Sequence, residues 1–156
     1  MLCTPHLLTG AAIVMAVPQP ELSLPLAFLS HFVLDTIPHT EPGTFLSQTR
    51  TEPTIPSKTE MKWAALDFFL GFLILVFLFL RLRNPFLLYG GFLAVLPDFI
   101  NNVPYRHQLK RFFGLKQIHW LHCRAHFTLE KKYWPLGVFT QLILLLAVFS
   151  GIILKK

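Results

Sequence analysis

The stretch SHFVLDTIPH, residues 30–39, sets two histidines and an aspartate in otherwise apolar sequence. His31 and Asp35 are four residues apart, which puts an imidazole and a carboxylate on one face of a helix. Further on, HWLHCRAHFTLE carries His119, His122, His126 and Glu130 at steps of three, four and four. At 3.6 residues per turn those four fall on one stripe of the last helix. Imidazole and carboxylate together are ligands for zinc, and also for manganese or iron. Two facing helices bearing H-x-x-x-D and H-x-x-x-E can therefore hold one or more divalent ions, zinc first among them.

Five apolar segments must position these groups: 7–17, 24–37, 63–80, 86–100 and 135–154. About 20 apolar residues are needed to cross a hydrocarbon core of about 30 Å. The third and fifth segments approach that length; the other three are short, as buried or partly inserted helices are. Drawn as alternating passes with tight turns at PQPE and RLRNP, the chain brings His6, His31, Asp35, His39, Asp67, Asp98 and the 119–130 stripe to one end. Ionisable groups in apolar segments cost several kcal/mol unless paired, hydrated or bound to metal, and a shared metal site removes that cost for several at once. The chain reads as one all-α domain over 1–156, an integral membrane bundle of about five apolar helices. A polar loop spans 39–62 and a basic, histidine-rich loop or helix spans 101–134.

Composition supports the membrane reading. Of the 156 residues, 53% are hydrophobic and 14% charged, with sixteen Phe against three Tyr, and the mean hydropathy is +0.53. Ordinary globular chains are less apolar and more charged. The net charge of +6 fits basic loops against anionic lipid head groups; no basic-aromatic motif points to nucleic acid. Two cysteines far apart make no disulfide framework, and LLTGAAIVMAV lacks the preceding basic residues of a secretory signal. The expected location is the cell membrane, crossed several times. Ten Lys/Arg, the fourteen less Arg81, Arg83, Lys155 and Lys156, lie near the histidine-rich end. That bias favours a cytoplasmic site, while the density of the other four argues the reverse.

Each group also has a plainer reading. His31 and Asp35 can neutralise one another within the helix. Asp67 can pair with Lys62 or Arg106, Asp98 can cap or end its helix after Pro97, and His107 can be a solvated loop residue. The 119–130 stripe can be an interfacial helix anchored by Trp120, Tyr133 and Trp134. Gly10, Gly71 and Gly90-Gly91 suit close helix packing.

TPHLLTGAA at 4–12, SHFVLDTIPH at 30–39 and AVLPDFI at 94–100 resemble the membrane-bound metal-dependent hydrolases of the YdjM-like group and the zinc-dependent phospholipase C-like proteins. The H-x-x-x-D and H-x-x-x-E pairs are similar to those that bind a zinc cluster in the phospholipase C and zinc nuclease group. The resemblance implies His31 with Asp35 as one ligand pair and His126 with Glu130 as the other, with His6 and Asp98 matching the family's opening histidine and Pro-Asp aspartate. The nuclease group also ligates through a Trp at its mature N-terminus, where this sequence has Met1.

The expected activity is metal-dependent hydrolysis of a phospholipid or other phosphoester. His6, His31, Asp35, His39, His119, His122, His126 and Glu130 are the candidate ligands, and Asp67 or Asp98 the candidate general base. A small membrane protein with a structural metal or a His–Asp network is the alternative. A metal or proton transporter is a third reading, disfavoured because the polar groups gather at one end rather than stepping across the bilayer.

Overall fold

A computed structural model describes residues 1–42, 57–102 and 112–154. The middle of the expected polar loop (43–56) and the stretch 103–111, with Arg106 and His107, lie outside the described residues. Among those described there are six helices and no strand: α1 (Cys3–Ala16), α2 (Pro20–Asp35), α3 (Lys58–Leu82), α4 (Phe86–Asn102), α5 (Phe113–Ala125) and α6 (Trp134–Leu154), the last preceded by a 3₁₀ turn at Lys131–Tyr133.

Local chemistry explains most of the boundaries. α2 opens on Pro20, whose missing N–H is no loss in a first turn. α3 opens on a capping box: Ser57 Oγ accepts from the Glu60 N–H at 3.2 Å, and the Glu60 carboxylate accepts from the Ser57 N–H at 2.6 Å. It closes at Arg83, which takes the left-handed conformation with φ 55°. α1 starts four residues before its apolar run because Asp67 of α3 caps it, accepting from the N–H of Cys3 at 2.5 Å and of Thr4 at 3.3 Å. The expected five helices become six because part of the basic region folds as α5.

The short α1 is the axis of the bundle and packs against α2, α3, α4 and α6. Leu7, Leu8, Ala11 and Val14 meet Leu75 and Leu78 of α3, Leu87 and Val95 of α4 and Ile152 of α6. α3 and α6 are long and apolar enough to cross a membrane. Their outward faces are apolar too, with Phe69, Leu73, Phe77 and Leu80 exposed on α3 and Phe139, Leu142 and Leu146 on α6.

The α1–α4 crossing depends on paired glycines. A Cβ on Gly10 would lie 2.7 Å from the Gly90 carbonyl carbon and 2.8 Å from the Ala94 Cβ, closer than carbon atoms pack. Gly10→Ala should therefore push α1 off α4, with a loss of about 1–3 kcal/mol as in other overpacked cores. The check is a thermal melt of the purified protein; an unchanged midpoint would contradict the close crossing.

Candidate metal centre

Asp35 ends α2 with its side chain fully buried. A carboxylate at zero exposure needs compensating charge, and the surrounding elements bring it. His6 of α1 places Nε2 3.3 Å from Oδ1, and His31, one turn back on α2, places Nε2 3.3 Å from Oδ2. His122 of α5 approaches Oδ2 with Nδ1 at 3.8 Å. The amino nitrogen of Met1 lies 2.9 Å from Oδ1.

Asp98 of α4 faces the same space, 3.7 Å from His31 Nε2 and 3.9 Å from His122 Nε2. His31, Asp35, Asp98 and His122 thus form one group whose ligand atoms all lie within 4.8 Å of one another; Asp35, His39 and His126 form a second. Asp35 belongs to both.

The rings are held as metal-binding histidines are held, with one nitrogen tied off and the other aimed inward. His31 Nδ1 donates to the Ala94 carbonyl at 2.8 Å, in the α4 turn just before Pro97. His39 Nδ1 donates to the Ile37 carbonyl at 2.8 Å. His126 Nδ1 pairs with Thr128 Oγ1 at 3.0 Å. The proton on His31 Nδ1 leaves a lone pair on Nε2, which meets His122 Nδ1 at 3.0 Å. Buried atoms without a hydrogen-bond partner include His39 Nε2, Asp35 Oδ2 and both ring nitrogens of His6. The His39 Nε2 lone pair and the Asp35 Oδ2 oxygen are orphaned acceptors of the kind a divalent cation satisfies. Burial pushes His39 down to about 3 and His122 to about 4 from the ordinary 6.5, and lowers His126 as well. All three are then neutral near pH 7, the form that offers a lone pair to metal.

A short backbone ladder brings the second group together. Phe127 N–H donates to the Asp35 carbonyl at 2.8 Å, His39 N–H to the Phe127 carbonyl at 3.3 Å, and Leu129 N–H to the His39 carbonyl at 2.9 Å. α6 clamps the His39 side of this ladder. Thr140 Oγ1 donates to the Pro38 carbonyl at 2.6 Å, and the buried Gln141 amide donates to the Thr40 carbonyl at 2.9 Å. Gly137 makes room, since a Cβ there would sit 2.6 Å from the Thr40 nitrogen.

Three expected residues lie elsewhere. α5 stops at Ala125, so His126 and Glu130 are not on the helix of His119 and His122, and the expected four-residue stripe is broken. Glu130 is exposed and pairs with Lys132 at 3.0 Å. His119 meets Asn101 Oδ1 at 2.6 Å through Nδ1, and it belongs to neither ligand group. Asp67 caps α1 rather than facing either group; Thr4 Oγ1 also donates to its carbonyl at 2.9 Å. His6 touches Asp35 and stacks on His31 at 4.3 Å, without joining either group. Conversely, Glu41 was not singled out from the sequence, yet its Oε2 lies 3.6 Å from His126 Nε2. The alternation of an extended segment, which puts residues 39 and 41 on one side, is the signal that points to it.

Comparison with protein-family models, with curated proteins and with solved structures finds no match to this chain.

Asp67→Ala should remove the cap of α1 and cost about 1–2 kcal/mol. The expected result is a lower melting temperature with unchanged metal stoichiometry. A loss of metal at an unchanged melting temperature would place Asp67 at the centre instead.

Proposed function

We propose that this chain is a membrane-embedded, metal-dependent hydrolase that acts on a phosphoester at the lipid–water boundary. The observation that carries the reading is the fully buried Asp35 carboxylate shared by two groups of inward-facing ligands. The motifs at 4–12, 30–39 and 94–100, which resemble the YdjM-like and phospholipase C-like hydrolases, support it.

The membrane part rests on α3 and α6. A 25-residue helix extends about 37 Å at 1.5 Å per residue, enough to cross a bilayer. Faces as apolar and exposed as those of α3 and α6 need a nonpolar medium or a partner to cover them. In this arrangement α1, α2 and α4 fill one side of the bundle and bring the ligands to its edge.

Zinc suits the donor set of imidazoles and carboxylates. A divalent ion held there would supply an acidified water, with a pKa of about 7 against 15.7 in bulk, and a Lewis acid for a phosphoryl oxygen. His31, Asp35 and His122 would hold the first position and His39, His126 and Asp35 the second. Asp98, at the rim with its side chain 14% exposed, is placed to accept the proton of the attacking water. Exposed Lys58, Lys62, Lys116, Arg124, Lys131 and Lys132 lie on the segments leading into and out of the site and suit an anionic head group.

A second reading has one specific observation behind it. The first group offers four protein donors, as closed structural zinc sites do. Under that reading the metal holds α2, α4 and α5 together and turns nothing over.

The deciding measurement is metal content of protein purified in mild detergent, with wild type beside the His31→Ala/Asp35→Ala double variant. Wild type is expected to carry two divalent ions per chain and the double variant none. Equal metal content in both would remove this centre from consideration. Phosphoester hydrolysis that is lost with a chelator and restored by Zn²⁺ separates the enzyme from the scaffold.

A further inference from the structure

The second ligand group is poorer in charge than the first. Asp35, Asp98 and two imidazoles surround the first position, but His39, His126 and a share of the same Asp35 surround the second. Two divalent ions bring four positive charges, beside the buried Met1 amino group, into a space that holds two carboxylates. Uncompensated charge in such a place is expensive, so a second ion requires a further anionic ligand.

Glu41 lies just outside the second group, next to His126. Its Oε2 lies 3.6 Å from His126 Nε2, the ring nitrogen left over once Nδ1 has paired with Thr128. The His39 and His126 rings meet edge to face at 4.9 Å, and the fully buried His39 Nε2 has no hydrogen-bond partner. The backbone ladder from His39 to residues 127 and 129 fixes the two segments against each other. Glu41 follows His39 by two residues on the segment clamped by Gln141, and its side chain is 34% exposed. It therefore reaches the group from a partly exposed position, whereas Asp35 is fully buried.

We infer that Glu41 is a metal ligand, closing with Asp35, His39 and His126 the shell of a second divalent ion. This rests on the reading of the Asp35 cluster as a metal centre. With Glu41 included, three carboxylates face two ions, and the remaining net positive charge suits an anionic substrate. Carboxylate, imidazole, imidazole and shared carboxylate are also a complete set of four donors for zinc.

The test titrates metal-depleted full-length protein, in detergent micelles, with Zn²⁺ alone and reads stoichiometry and affinity by calorimetry. Wild type should take two ions. Glu41→Gln, which keeps the shape and removes the charge, should keep the first and weaken the second at least about tenfold, the usual scale for a lost metal-site contact. Glu41→Asp should recover part of that loss, and a thermal melt of each metal-free variant confirms that it is folded. The inference is overturned if Glu41→Gln binds both ions as wild type does, or if wild type binds only one ion and His31→Ala abolishes it. In that last case the metal centre itself stands. Wild type that binds no Zn²⁺, or that binds it undiminished after His31→Ala/Asp35→Ala, overturns the centre and this inference together.

Discussion

A buried carboxylate organises this molecule. Asp35 has no exposed side-chain surface, and a lone carboxylate in such a place loses several kcal/mol of hydration. Its compensation cannot come from α2 alone, because His31 reaches only one of its oxygens at 3.3 Å. The other oxygen faces His6 and the amino nitrogen of Met1. α5 contributes His122, and the segment after it contributes His126. Elements far apart in sequence are thus tied to one functional group at the end of a short helix. Even the backbone participates, since the Asp35 carbonyl accepts the Phe127 N–H.

That convergence depends on contacts far less conspicuous than the histidines. α1 must run close to α4 for His6 to reach Asp35 and for α4 to offer the Ala94 carbonyl to His31. Gly10 and Gly90 permit the approach, and no side chain with a Cβ fits between them. Asp67 starts α1 early enough for its first turn to carry Thr4 and His6 into the core. Gly137 and Gln141 let α6 hold the Thr40 backbone at hydrogen-bond distance. Each of these residues lies in an apolar helix, where a small or hydrogen-bonded polar side chain packs helices without exposing a polar atom.

The sequence carried some of this plainly and some of it not at all. The apolar segments were legible because a helix long enough to span a membrane leaves an unmistakable run, and α3 and α6 lie where those runs do. The i, i+4 relation of His31 to Asp35 was legible because both sit inside one helix. The spacing from His119 to Glu130 misled, because it presumed a continuous helix. α5 ends at Ala125, and the backbone bonds to residues 35 and 39 draw the next residues out as an extended segment. Periodicity cannot register that, because the partners of Phe127 and Leu129 are about ninety residues away. Asp67 looked like a base for a similar reason: a carboxylate in an apolar helix advertises need, but not whether backbone N–H groups or a metal will meet it. Glu41 was hard to read because T-E-P in a polar stretch looks like loop, and its two-residue offset from His39 carries meaning only once that segment is known to be extended.

The two ligand groups differ in how they are built, and the difference bears on how the centre would work. The first is assembled from α2, α4 and α5, and every member but Asp98 is a buried residue. Its geometry is fixed by the packing of the bundle. The second draws His39 and His126 from extended segments joined by three backbone hydrogen bonds, and its outward side is partly open at Glu41. Segments held by a few backbone bonds open at lower cost than packed helices do. The first position is thus built by helix packing and the second by backbone hydrogen bonds clamped from α6, with Asp35 common to both. Glu41, beside the second group, is partly exposed, while Asp35 stays fully buried at the point the two groups share.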